Sequence, residues 1–288
     1  QPDNVEIMAA IGNALLQKGE IEKAIEILNR AIDTNPSFLP AKNILALCYI
    51  NKERLDDAFQ LTAEVISKDP KNAEAYFNLG VIYDKQGNFN EAMIAFRKSV
   101  ELRGDYDESR INLGRLYLQQ GNLEQARYHL EKAIELSPKN PHALYLLGKV
   151  YLAGGEKENA KAYLKQALAA SPGFNPARIT LAIQYFSEGN LNKAKQILEE
   201  ALNYDADLHL VHTNLGIVER NLGNLRAAKK HFKQAISIDP GYLPARFDLV
   251  DLLLNTGDKK GARKELQEVL RIDPANQTAK QLLKQLGG

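Results

Sequence analysis

The sequence predicts an all-α chain, a solenoid of eight helix–turn–helix hairpins closed by a short C-terminal capping helix. Three observations carry that prediction. Counted from Val5, the chain divides every 34 residues, at 39, 73, 107, 141, 175, 209 and 243, with no insertion or deletion, and the eighth repeat ends at Asn276. Each repeat holds two apolar faces of helical spacing, separated in seven of the eight by a glycine. In six repeats the second face runs into a proline. Self-similarity at this period is the mark of a stack whose members bury their apolar surface only against neighbours.

In chain order, Gln1–Asn4 reads as a frayed lead-in, followed by repeats at 5–38, 39–72, 73–106, 107–140, 141–174, 175–208, 209–242 and 243–276. In each repeat, mostly apolar residues at positions 3, 7, 10 and 11 and a small one at 8 make the first helical face. Position 8 reads Gly12, Ala46, Gly80, Gly114, Gly148, Ala182, Gly216 and Val250, and position 20 is alanine throughout, from Ala24 to Ala262. Both columns are expected to be small because the two helices cross there. Glycine at position 15 (Gly19 and Gly87 are examples) stops the first helix. A second face follows at positions 17, 20, 24, 27 and 28, and proline at 32 turns the chain toward the next repeat. Some repeats depart from the pattern: Glu53 replaces the glycine, Gly104 and Asp205-Ala206 stand where proline is expected, and Glu219 takes position 11, where five repeats have tyrosine. These departures read either as drift in a tolerant scaffold or as local flexing and, near Glu219, a polar contact. Residues 277–288 read as a capping helix and tail, with Leu282, Leu283 and Leu286 toward the last repeat and Lys280, Gln281 and Lys284 toward water.

Composition narrows the function. Lysine and arginine number 37 against 36 acidic residues, a net charge of +1, which argues against nucleic acid as the main partner. No apolar run reaches the ~18 residues of a membrane span. No signal peptide is apparent, and the chain begins with Gln1, which fits a processed form or a fragment of something longer. The compartment stays open between cytoplasm and periplasm. Cys48 is the single cysteine and reads as core filler, so no internal disulfide is available. Among five histidines, His209 and His212 form a possible metal half-site without an evident third ligand, so no metal or other cofactor is expected. No HExxH, Walker loop or GxSxG occurs, and no catalytic residue is assigned. The position-11 tyrosines (Tyr49, Tyr83, Tyr117, Tyr151, Tyr185) read as inter-helix core rather than as a stacking platform.

The columns at positions 8, 11, 15, 20 and 32 resemble the tetratricopeptide repeat over residues 5–276, although the tryptophan often seen at position 4 is absent. The resemblance implies a right-handed superhelix with first helices lining a concave groove. It also implies that positions 2, 5, 6, 9, 12 and 13 face that groove. On that basis the candidate partner-binding residues are Phe77, Asn78, Val81, Ile111, Asn112, Arg115, Tyr145, Lys149, Ile179, Ile183, Phe186 and Asn214. Some of these side chains are alternatively expected to pack between neighbouring first helices. The lysine–asparagine pairs of the family's carboxylate clamp are missing. Asn78, Asn112 and Asn214 match only part of the asparagine ladder that grips peptide backbones in the O-linked N-acetylglucosamine transferase superhelix. The strings Phe38-Leu39-Pro40-Ala41, Phe174-Asn175-Pro176-Ala177 and Tyr242-Leu243-Pro244-Ala245 are similar in style to bacterial envelope repeat proteins of polysaccharide export or pilus assembly. The expected function is a non-enzymatic scaffold that binds a peptide or helix of a partner protein, with an acidic group of the partner meeting Arg115 or Lys149. Two alternatives remain: a structural module of a larger envelope complex, or a substrate-presenting domain of an enzyme whose catalytic part lies elsewhere. The oligomeric state is not readable from the sequence.

Overall fold

The computed structural model describes residues 4–204 and 208–287. Among the described residues there are seventeen helices and no strand. The first helices of the repeats are α1 (Val5–Gln17), α3 (Leu39–Asn51), α5 (Ala73–Lys85), α7 (Asp107–Gln119), α9 (Pro141–Ala153), α11 (Asn175–Ser187), α13 (His209–Asn221) and α15 (Leu243–Asn255). The second helices are α2 (Ile21–Thr34), α4 (Leu55–Lys68), α6 (Phe89–Leu102), α8 (Leu123–Leu136), α10 (Lys157–Ala170), α12 (Leu191–Ala201), α14 (Leu225–Ile238) and α16 (Lys259–Ile272), and α17 (Gln277–Gln285) follows.

The helices belong to two compact bodies, residues 1–154 and 155–288, a division the 34-residue period does not announce. It falls between the two helices of the fifth repeat. In the first body, hairpins α1/α2, α3/α4, α5/α6 and α7/α8 stack in order and α9 packs on α8. In the second, α10 packs on α11, and hairpins α11/α12, α13/α14 and α15/α16 follow, with α17 on α16.

Local chemistry sets the helix ends. The glycines after the first helices have φ between 75° and 81°, the left-handed region that ends a helix. Glu53 adopts the same turn at φ 57°, so the second repeat keeps the geometry without the residue suited to it. Asn4, expected to fray, is instead a cap: its Oδ1 accepts hydrogen bonds from the Glu6 and Ile7 amides at 2.9 and 3.1 Å, a contact worth about 1 kcal/mol. The turn at Gly104 is fastened, not loosened, because the Arg110 guanidinium donates to the Gly104 carbonyl at 3.0 and 2.7 Å. The departure at Asp205-Ala206 lies outside the described residues.

Close packing explains the small column at position 8, but its neighbour is position 24 rather than 20. A Cβ built on Gly80 would lie 2.6 Å from the Phe96 ring, and one on Gly216 would lie 2.4 Å from Phe232. Both phenylalanines are fully buried, each contributing about 1.5–3 kcal/mol. Ala46 and Thr62 hold these two positions in the second repeat, both fully buried.

Candidate functional site

The position-11 side chains show how consecutive repeats are joined. Four of them meet a residue at position 21 of the preceding second helix. Tyr83 packs edge-on against Phe59, Arg127 lies 4.5 Å over the Tyr151 ring, and Lys161 lies 5.4 Å from the Tyr185 ring. In the seventh repeat the ring is replaced by Glu219, and the cation at position 21, Lys195, becomes its ion-pair partner at 2.7 Å. Asn224 also donates to Glu219, at 2.7 Å. Burial pushes the Glu219 carboxyl up, but the Lys195 and Asn224 hydrogen bonds outweigh it and hold the group below the usual glutamate range. Glu219 is thus a polar contact built into the same register as the tyrosines. The tyrosines themselves serve packing.

Several candidate residues belong to the scaffold rather than to an open surface. Asn78 is buried, and its Nδ2 donates to the backbone carbonyl of Asn43 at 3.0 Å, tying α5 to α3. Phe77 packs against Phe96 and Tyr106, with ring centroids 5.9 and 5.2 Å away, and Val81 joins the same cluster. Arg115 pairs with Asp84 at 2.6 Å, linking α7 to α5. The Nδ2 atoms of Asn112 and Asn214 donate to the carbonyls of Glu108 and Leu210 in their own helices at 2.9 and 2.8 Å. Each of these three amides thus directs Nδ2 to a backbone carbonyl of the chain itself. Ile111 and Ile179 are half-buried. In the first body, half-buried Tyr145 has the Lys149 ammonium 5.7 Å from its ring, with Lys149 itself exposed.

The second body brings candidates together. A cavity of about 230 Å³ opens between α11 and α13, lined by Ala182, Ile183, Phe186, Asn214, Ile217 and Val218 together with Leu198 of α12. Ile183 is 49% exposed there. Three of the lining residues were legible as candidates. Ile217 was not selected, although it shares position 9 with Ile183. A different groove, about 510 Å³, lies along α5 and α6 of the first body; it includes Tyr76, Leu79, Tyr83 and Lys98, and Ile94, 60% exposed.

The histidines do not form a metal centre as paired by sequence. His209 faces Asp239, with Nε2 4.0 Å from Oδ2, and the Tyr242 ring. His212 instead meets His231, Nδ1 to Nδ1 at 3.0 Å. Among the described residues no group of three or more His, Cys, Asp or Glu is placed to hold a metal ion. Cys48 is buried and its thiol is pushed up to about 11 by burial, which suppresses the nucleophilic thiolate. Among the described residues no helix is long and apolar enough to cross a membrane.

Family profiles described as tetratricopeptide repeat match residues 9–68, 73–106, 141–174, 158–214 and 222–286, and one described as TPR repeat matches 114–155. The chain belongs to the tetratricopeptide repeat family. Its fold is a helical solenoid of the non-catalytic, protein–protein interaction scaffold type. Protein bimA of Emericella nidulans is 26% identical over 97 residues, 34% of this chain and 12% of that protein. BBSome complex member BBS4 of Bos taurus is 28% identical over 87 residues, 30% of this chain and 17% of that protein. The matched stretches thus span under a fifth of either relative. Among solved structures, PilW, a type IV pilus biogenesis factor, superposes with a TM-score of 0.66 at 24% identity, covering 75% of this chain and 99% of PilW. The Cut9–Hcn1 structure superposes with a TM-score of 0.74 at 17% identity, covering 97% of this chain and 55% of that one. Both likenesses concern the fold alone.

Proposed function

We propose that the chain binds a peptide or helix of a partner protein across its first helices, with an apolar side chain of the partner anchored between α11 and α13. The observation that carries this reading is the cavity at Ile183, Phe186, Asn214 and Ile217. Its ~230 Å³ falls below the roughly 300–1,000 Å³ typical of small-molecule sites, which favours a single branched or aromatic side chain as occupant. The Asn214 amide donates to its own helix, leaving its Oδ1 to accept a backbone N–H of the bound segment. Ile183→Glu and Ile217→Glu, each used as bait beside the unchanged chain, test the reading. Loss of the captured partner with unaltered helicity supports it, and undiminished capture by both variants refutes it.

A second reading, a structural module of a larger complex, rests on the groove at α5 and α6, where Ile94 is exposed between Tyr83 and Lys98. The fold likeness to PilW makes an envelope assembly one setting for that reading. Ile94→Glu separates the two, since it disrupts contact only if this groove is the one used.

A further inference from the structure

We infer that the outer face of α14 and α16, carrying Arg226, Lys230, Lys233, Lys260 and Lys264, docks an acidic peptide of a partner protein that brings one large apolar side chain with it. These cations fill five of the six places at positions 18, 22 and 25 of the second helices in the seventh and eighth repeats. All three positions are exposed in every one of the eight repeats, interior ones included. The openness of this face therefore belongs to the hairpin and not to either end of the stack. What changes along the array is the charge. In the first six repeats the three positions hold seven acidic residues and two basic ones, and in the last two they hold five basic residues and no acidic one. Solvation alone is served by interspersed signs, whereas a single-sign face creates a field that attracts an opposite charge.

The two ridges adjoin, because Lys229 Nζ lies 3.4 Å from Oδ2 of Asp258, the residue that caps α16. The carboxylates at hand are already engaged. α14 contains no acidic residue. Asp258 is held by Lys229 and by the Gly261 amide, and Glu265 and Glu268 of α16 pair with Arg246 and Arg271. Among the described residues none of the five cations has an ion pair or a hydrogen bond. Like charges four residues apart, Arg226 with Lys230 and Lys260 with Lys264, destabilise their helices, and an anionic partner relieves that repulsion. Arg226 to Lys233 covers about 10 Å of helix axis, so several acidic residues are needed to meet the ridge. The apolar requirement comes from a depression of about 680 Å³ at the start of α14, lined by Gly223, Asn224, Leu225, Arg226, Ala227 and Lys230. Leu225 is 43% exposed there, and Arg226 and Lys230 belong both to the depression and to the ridge. A concave seat of this kind suits a protein side chain flanked by carboxylates. A bilayer surface is flat and offers nothing to fill it. Single-stranded nucleic acid stacks its bases on aromatic rings, and among the described residues α14 and α16 have no exposed aromatic side chain.

The probe is a fluorescein-labelled oligoglutamate peptide with one central leucine, compared with a twin that has serine in place of the leucine. Each is titrated into the full chain by anisotropy while amide exchange is followed residue by residue. The expected result is saturable binding of the leucine peptide that weakens as salt is raised, with slowed exchange in α14 and α16. Binding should fall at least tenfold for the serine twin, for Lys230→Glu with Lys233→Glu, and for the milder Lys230→Ala with Lys233→Ala. Lys157→Glu with Lys165→Glu reverses the same number of exposed cations on α10 and should leave the affinity within about twofold. Ile183→Glu also leaves this binding unchanged, so failure here is distinguishable from failure of the α11–α13 reading. The inference is overturned by no saturation up to about 1 mM, by equal affinity for the serine twin, or by equal losses from the α10 and α14 variants. It is equally overturned by tighter binding of a duplex oligonucleotide or of phosphatidylserine vesicles at the same salt, or by self-association that the α14 variants dissolve.

Discussion

Replacing Lys195 by methionine leaves the Glu219 carboxylate without its cation while keeping most of the aliphatic packing. The Glu219 side chain is 4% exposed and that of Lys195 31%. Stripping one partner from a fully buried pair costs roughly 3–5 kcal/mol. Here water screens the ammonium and Asn224 still donates to the carboxylate, so about 2–3 kcal/mol is expected. The loss is local to α13 and α14, and a global melt of a repeat chain would blur it. Residue-level amide exchange is therefore the assay, and α13 amides should exchange about 30- to 140-fold faster. Glu219→Tyr in the Lys195 background rebuilds the arrangement of Tyr185 and Lys161, and should stay within about 1 kcal/mol of the parent chain. The pH dependence follows from the lowered carboxyl. Its unfolded value is near the ordinary 4.5 and its folded value is lower, so the stabilisation is complete above 4.5 and lost as pH falls through the folded value. Lys195→Met should remove that acid dependence. Wild-type exchange rates in Lys195→Met would refute the claim that Glu219 is held by an ion pair in the tyrosine register.

Further expectations follow from individual contacts. Glu53→Gly relieves a left-handed backbone at φ 57°, a gain of about 1 kcal/mol reduced only by the loss of the exposed Lys85 pair; a lower urea midpoint for the first body would contradict it. Gly216→Ala places a methyl 2.4 Å from Phe232, and about 1–3 kcal/mol of overpacking should exceed the ~1 kcal/mol gained in helix propensity. Slowed exchange in α13 would sink that reasoning. His129 is buried, stacks on Tyr117 and is pushed down to about 4 by burial, helped by Arg110 and Arg97. The unfolded chain therefore binds a proton first, and stability should fall as pH drops from 6.5 toward 4, by at most ~1.4 kcal/mol per unit. His129→Phe should flatten that part of the profile, and an unchanged slope would assign it elsewhere.

Much of the fold was legible because a 34-residue period repeats the same physical problem: two helices, a left-handed stop and a crossing that admits only small side chains. What the period could not express is which columns touch. Position 8 meets position 24, as Gly80 meets Phe96, and position 11 meets position 21 of the repeat before, as Tyr185 meets Lys161. Those contacts depend on how consecutive helices pack, not on spacing within one helix. The same limit governed the candidate site. Asn78 and Arg115 looked like surface donors because their partners, the Asn43 carbonyl and Asp84, lie 35 and 31 residues away. Ile183 and Phe186 were readable, whereas Ile217 completes their cavity from the next helix.

The central claim is that an apolar anchor of a partner seats between α11 and α13. Selecting a phage-displayed random peptide library on the unchanged chain, and then mapping amide exchange with a selected peptide bound, tests it directly. The account predicts peptides sharing a branched or aromatic residue, slowed exchange in α11 and α13, and loss of binding in Ile183→Glu. Protection confined to α5 and α6, with Ile183→Glu binding as tightly as the unchanged chain, would contradict it.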